Sequence, residues 1–407
     1  MAFFFGPRTE RSTNRALDMV NFFLADAQTG FGPFVSVYLT THKWTQVDIG
    51  FVLTLGTITS LVSQLPAGFL VDAARNKRMT ASWALCGVMA AALLLAVFPD
   101  PLPVAIALML QGISSCVITP AIAAISLRMA GHSHLGERLG RNARFASIGN
   151  GLAAAVMGAT GAYLAPRFVF LLTAVLCVPA LISLWGIGPG VYARSQTTSP
   201  VLDWRGLRQL LTDRRLLVFW VCVMLFHLSN AAMLPLAGSA VTMRAGNYAS
   251  LIIAACIVVP QAIVALLSPW VGRVAGETGR RRILLLGWAA LPIRGVMLAI
   301  LPGAWPLVAG QAVSGLSAAV FGVALPLLAS DLTLGMAHFN LCMAILALGM
   351  FVGAGISTTM AGELADTAGM HIAFLVLAAV GAVGWLVIWA LMPETRPAEA
   401  KALNSAG

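Results

Sequence analysis

GFLVDAARNKR, residues 68–78, and GRVAGETGRRR, residues 272–282, stand 204 positions apart. Each begins with the glycine that ends an apolar run, crosses a short polar turn and closes on a basic cluster. Lys77 and Arg78 form that cluster in the first copy; Arg280, Arg281 and Arg282 form it in the second. A second pair keeps the same spacing: NFFLADA, 21–27, against LFHLSNA, 225–231. Phe22 falls opposite Phe226, Leu24 opposite Leu228, Asp26 opposite Asn230 and Ala27 opposite Ala231. A third pair, GISS from Gly112 and GLSA from Gly315, is offset by 203. Three matches at essentially one spacing mark an internal duplication, in which two similar halves flank a central connection.

The sequence around these loops fixes their solvent. Of the 407 residues, 59% are hydrophobic and only 10% charged. Soluble chains are nearer half apolar and a quarter charged, so no aqueous core could hide this surface and the bilayer is the expected solvent. Runs of about 20 mainly apolar residues span a bilayer. Twelve are expected, starting near Ala16, Ile49, Met79, Pro103, Ala143, Phe168, Leu216, Ser250, Ile283, Trp305, Leu341 and His371. Thr45, three residues before Asp48, is an expected cap for the second of them. The long polar stretch between Pro189 and Arg215 divides the chain into an N-terminal six-helix bundle (1–188), a cytoplasmic central loop (189–215) and a C-terminal six-helix bundle (216–407). The six cysteines lie singly in apolar runs, which suggests neither a disulfide framework nor a metal site. The N-terminal MAFFFGPRTERSTNR carries an apolar patch too short for a signal peptide.

The formal charge of +10 would suggest nucleic acid in a soluble chain. Its distribution says otherwise. Of the 25 Lys and Arg, 21 fall on one side of the threaded chain. Lys43, Arg167 and Arg244 fall on the other, and Arg294 lies inside a helix. This is a topology signal that places both termini in the cytoplasm. It removes the case for nucleic-acid binding.

GFLVDAARNKR also resembles the loop signature of the major facilitator superfamily: Gly, three residues, Asp, a base, any residue, Gly, then a basic cluster. Gly68, Asp72, Lys77 and Arg78 fit that pattern, while Ala73 and Arg75 depart from it. The second copy keeps Gly272, Gly279 and the three arginines but has Gly276 in the acidic place. The terminal MPETR, 392–396, extends the resemblance to the end of the chain. The resemblance implies an all-α membrane protein of twelve transmembrane helices, built as two pseudo-symmetric six-helix bundles around a central cavity. It also implies an ionic latch between the loop and neighbouring helix ends. Arg128 occupies the helix-4 position of that latch, so the first half is expected to pair Asp72 with Arg128. An offset of 203 from Arg128 gives Asp331. The second half is therefore expected to reverse the signs, pairing Asp331 with one of Arg280, Arg281 and Arg282. The bland alternative is that these charges only fix topology and solvate loop ends.

Asp26 lies roughly 16 Å along helix 1, near the middle of a 30 Å hydrocarbon core. Asn21 and Gln28 share its side of the helical wheel with Asp18 and Thr29, opposite Phe, Leu and Val. Helix 1 lines the cavity in the fold that the resemblance implies. Asp26 is thus expected to be a proton carrier or substrate contact, because intramembrane acids are rare and functional by default. His227 and Asn230, on the symmetry-related helix 7, are expected to face the same cavity, His227 as a second titrating group. Arg294 has two readings: a structural ion pair, since helix 9 is peripheral in this fold, or a cavity residue that marks an anionic substrate. Gln64, Gln111 and Gln261 are weaker cavity candidates; a lone buried Gln is commonly interhelical glue.

Drug/proton antiporters of this superfamily often place an Arg three residues before the Gln-Gly of helix 4. Here that place is Leu108. Their helix-5 signature ends in Gly-Pro; here Gly149 and Gly158 are suitably spaced but Ala162 and Tyr163 follow. The expected function is a secondary active transporter. Specifically, it is a proton-coupled exporter of a small polar or anionic organic molecule, carboxylate-like or siderophore-like, working by alternating access. A multidrug/proton antiporter for lipophilic cations and a transport-dead membrane sensor are the alternatives. A membrane enzyme is disfavoured, since neither HExxH nor GxSxG occurs, and without a P-loop ATP is not the evident driver. The expected partners are protons, one small-molecule substrate and lipid, with no cofactor. A monomer in a cell membrane, a bacterial inner membrane given the short loops, completes the expectation.

Overall fold

The computed structural model describes residues 10–29, 31, 33–44, 46–188, 208, 210–237, 249–301, 303–334 and 338–395. All of its regular elements among these residues are helices. In chain order they are α1 (Glu10–Thr29), α2 (Pro33–Thr41), α3 (Gln46–Ala73), α4 (Lys77–Val97), α5 (Pro101–Tyr163) and α6 (Arg167–Gly186). The second series is α7 (Arg214–Asn230), α8 (Ala249–Thr278), α9 (Arg280–Ile300), α10 (Ala304–Leu332), α11 (Phe339–Thr367) and α12 (Met370–Leu391). Among the described residues, ten helices are long and apolar enough to cross a membrane. Prolines stand inside several of them, including Pro66, Pro120, Pro179, Pro260, Pro292 and Pro326. Membrane helices tolerate these because neighbouring helices and local adjustments re-satisfy the freed backbone groups.

Helix starts follow local chemistry. Asn76 precedes α4, and its Oδ1 accepts from the Met79 N–H at 3.2 Å. Asp213 precedes α7, and its Oδ1 accepts from the Arg215 N–H at 2.8 Å. Both satisfy donors that the first helical turn leaves open.

Two starts differ from the sequence expectation. The stretch expected as the first span is two helices, α1 and α2, with Pro33 opening the second, where its missing N–H costs nothing. The fifth does not begin near Ala143: α5 is helical throughout except at Gly131, which adopts φ 66° and ψ 175°. Residues 132–142 are too polar to read as a span, yet they continue the helix. Thr45, the expected cap, lies outside the described residues, as does most of the 189–215 connection.

The chain packs as two compact units, Met1–Gly131 with Phe145–Leu202, and His132–Arg144 with Asp203–Gly407. In the first unit α1 and α4 both pack on α6. Leu17, Val71, Val88, Ile125 and Leu184, from five helices, form one fully buried cluster. In the second unit α8 packs on α10, α9 lies between α10 and α12, and α7 packs on α11 and α12. Trp288 is wholly buried there and its Nε1–H donates to the Cys222 carbonyl at 3.3 Å. The 132–144 segment joins this unit through a very close crossing. A Cβ on Gly136 would lie 2.6 Å from the Gly272 carbonyl oxygen, so only glycine lets the two backbones meet. Elsewhere the surface is apolar: Phe51, Val62, Trp83, Ile182 and Leu266 are each about two-thirds exposed. A belt of that kind suits lipid rather than water.

Candidate functional site

The second unit carries the more developed site. Arg294, on α9, is 2% exposed. Its Nη1 donates to Asn230 Oδ1 on α7 at 2.6 Å and to Ser314 Oγ on α10 at 3.2 Å. Its Nε–H has no partner among the described residues. Nearby on the same α10, the Gln311 side-chain amide N–H is also buried with no acceptor. Arg294 forms no ion pair among the described residues. The sequence left open a structural ion pair for this arginine. Its partners are instead a neutral amide and a neutral hydroxyl. A buried guanidinium held this way keeps its full charge, and burying a charge unpaired is costly.

His227 stands one helical turn before Asn230. It is half-buried, its Nδ1 lies 3.3 Å from the Val223 carbonyl of its own helix, and its ring meets Phe321 of α10 edge-on at 4.9 Å. Phe321 in turn stacks on Phe226 at 4.6 Å. Asn230, His227, Ser314 and Phe321 thus form two facing rows on α7 and α10, both partly open. Gln261 is half-buried on α8.

Candidates in the first unit are more dispersed. Asp26 is on α1, but its side chain lies outside the described residues. Asn21 spends its amide on the Leu17 carbonyl at 2.8 Å, one turn back. Gln28 is half-buried near the end of α1. Gln111 donates to Ser115 Oγ at 3.0 Å on its own helix, and Gln64 to Cys116 Sγ at 3.1 Å. Both glutamines are engaged in helix contacts.

The charged loop ends complete the picture. In the second unit Arg280, rather than Arg281 or Arg282, pairs with Asp331: Nε to Oδ2 at 2.9 Å and Nη2 to Oδ1 at 3.4 Å. Both side chains are almost fully buried. Thr395 Oγ1 also donates to Asp331 Oδ2 at 3.2 Å. Glu394 accepts the backbone N–H groups of Arg280 and Arg281 at 2.8 and 3.2 Å. A carboxylate at that helix start answers both the open donors and the dipole. In the first unit, buried Lys77 turns its Nζ back onto the carbonyls of Val71 and Asp72, the latter at 2.9 Å. Lys77 lies within electrostatic reach of both Asp72 and Arg128. Arg78 points elsewhere, donating to the Ile187 carbonyl at 3.1 Å and lying over the Trp185 ring.

Ser314, Gln311, Glu394 and Thr395 are functional candidates that the sequence reading missed. Ser314 carried one usable signal, since the 203 offset sets it opposite Gln111.

The Major Facilitator Superfamily model matches residues 17–291 and 245–407. Two uncharacterised MFS-type transporters from strains of Mycobacterium tuberculosis are each 34% identical over 389 residues, covering 94% of this chain and 93% of theirs. A class C tetracycline resistance protein of Escherichia coli is 31% identical over 137 residues, 33% of each chain. Among solved structures, the human organic anion transporter TETRAN and the Escherichia coli fucose:proton symporter FucP each superpose with a TM-score of 0.71 at 15% identity. They cover 94% of this chain, and 100% and 99% of their own.

Proposed function

The chain belongs to the Major Facilitator Superfamily, and we propose that it is a proton-coupled exporter of small organic anions. It crosses the membrane twelve times in this reading: α1 with α2 makes one interrupted crossing, α5 makes two about Gly131, and each remaining helix makes one. Both termini face the cytoplasm of a bacterial cell, and transport proceeds by alternating access.

The observation that carries the reading is Arg294. The arginine is buried and, among the described residues, hydrogen-bonded only to Asn230 and Ser314, with its Nε–H unsatisfied. A purely structural arginine would be cheaper beside an acid, and position 230 is where the duplication sets the counterpart of Asp26. Asn in that place holds the guanidinium without neutralising it. A carboxylate entering from the cavity would then find a fixed, desolvated cation with a spare donor, which favours bidentate binding. Asp26, its counterpart in the first half, is the proton carrier. The partial match to a tetracycline resistance protein and, separately, Gly149 and Gly158 at antiporter spacing favour export. Asp26 also favours the second reading, a multidrug antiporter in which that acid meets a lipophilic cation.

A thermal-shift screen of the purified protein separates the two. One panel holds organic anions, including citrate-type chelators; the other holds lipophilic cations. A ligand at 100 times its Kd adds about 2.7 kcal/mol of stability, which is readily seen. Organic anions are expected to stabilise the wild type and to lose that effect in both Arg294→Gln and Asn230→Asp, the latter because it neutralises the cation in place. Stabilisation by cations alone, unchanged in both variants, overturns the anion reading. In proteoliposomes, Asp26→Asn is expected to uncouple flux from the pH gradient, and binding without flux in the wild type would mark a sensor.

A further inference from the structure

The first unit holds a groove of about 500 Å³ between α3, α4 and α5, unrelated to the Arg294 site. One end is polar, formed by Arg75, Asn76 and Thr80; the remainder is apolar, with Trp83, Leu110 and Ile113 along its length. Trp83 is 70% exposed and Ile113 43%, so the groove opens on the outer, lipid-facing surface of the span. Its polar end is the α3–α4 loop with the first turn of α4, which together carry three basic residues. Two of them are committed inward: Lys77 to the Val71 and Asp72 carbonyls, Arg78 to the Ile187 carbonyl and the Trp185 ring. Arg75 is exposed and has no hydrogen-bond or ion-pair partner among the described residues. The N-terminus of the 21-residue α4 lies at the same end, adding its positive dipole.

We propose that this groove binds an anionic phospholipid, with the phosphate held at Arg75 and the start of α4 and one acyl chain laid along Trp83, Leu110 and Ile113. A basic group at the headgroup level, a tryptophan below it and an apolar trough beneath match the layers of one leaflet. A soluble metabolite would leave the trough exposed; a zwitterionic lipid brings the same phosphate but sets its own cation beside Arg75, which offsets part of the attraction. The site belongs to this chain's departure from the family loop pattern, since Arg75 stands where that pattern has glycine.

The test uses the full-length protein, delipidated in detergent, and native mass spectrometry with dioleoyl phosphatidylglycerol, dioleoyl phosphatidylcholine and glycerol 1-phosphate. Phosphatidylglycerol is expected to bind about fivefold more tightly than phosphatidylcholine, the effect of one basic group at an anionic headgroup. Arg75→Gln should bring the two lipids level. Trp83→Ala should weaken both by a similar factor and keep their ratio. Glycerol 1-phosphate should not displace the lipid. Equal binding of the two lipids to the wild type, or an unchanged preference in Arg75→Gln, overturns the proposal. So does displacement by glycerol 1-phosphate, which would make the site one for free phosphates.

Discussion

In the first half, the acid of the charged turn closes α3, at Asp72, and the base is within α5, at Arg128. In the second half the base is on the loop side, at Arg280, and the acid is on a helix, at Asp331. Yet the turn itself is built alike. Lys77 returns to the carbonyl of Val71, and Arg280 returns to that of Ala275, its counterpart at an offset of 204, at 2.8 Å. Each basic side chain thereby satisfies a carbonyl that the end of the preceding helix leaves open. The same inversion recurs within the membrane. The first half has Asp26 and, at the offset of 204 from Arg294, only Ala90; the second has Asn230 and Arg294. The duplication preserved positions and reassigned charge, so that each half carries the chemistry the other lacks.

The largest expected break in this comparison is at Asp331. Its pairing with Arg280 is almost fully buried, so Asp331→Ala leaves a buried guanidinium uncompensated and should cost about 3–5 kcal/mol. Asp72 is only half-buried, and Asp72→Ala should cost about 1 kcal/mol or less. Thermal unfolding in detergent reads both. Equal costs would mean that the two turns are energetically alike despite the reversed signs, and the burial argument would fail.

A smaller effect is expected at the paired positions 75 and 279. Gly279 has φ 105°, and a Cβ there would lie 2.3 Å from Glu394 Oε2. Gly279→Ala therefore meets both backbone strain and the carboxylate that caps α9, and should cost about 1–3 kcal/mol. Arg75 has no positive φ, so Arg75→Gly should stay within about 0.5 kcal/mol. The same melting experiment checks both; a tolerant Gly279 would show that Glu394 moves aside freely.

These contrasts also show what the sequence could disclose. The duplication pointed to Asp331 from Arg128 because an offset carries one known position onto another. It left the choice among Arg280, Arg281 and Arg282 open, since neighbours on a helix differ by 100° in direction and only packing selects one. Glu394 was visible in MPETR, but its role depends on the chain end returning to α9, more than 110 residues away. The continuation of α5 through 132–142 was hidden for another reason. A polar helix outside the membrane has no long apolar run to announce it, and the sole interruption is one glycine. Arg294 stood out as a charge in an apolar run, while its partner Ser314 did not, because a serine in a membrane helix is commonplace.

That serine supplies the mildest and most specific contrast. Ser314 and Gln111 occupy equivalent places in the two halves. Gln111 bonds to Ser115 on its own helix, whereas Ser314 accepts from Arg294 on a neighbouring one. Ser314→Ala removes one charge-assisted hydrogen bond, of about 1.5–3 kcal/mol, from the residue proposed to hold the substrate. If Arg294 binds an anion, loss of the contact that holds Nη1 in place should weaken the anion Kd by about tenfold and lower the melting temperature by a few degrees. Gln111→Ala breaks only a local contact and should change the Kd less than twofold. Titrating the best anion of the screen against both variants decides the matter. Matching shifts would mean that the two halves contribute alike to the cavity. A shift confined to Ser314→Ala would place recognition in the second half and leave proton transfer to the first.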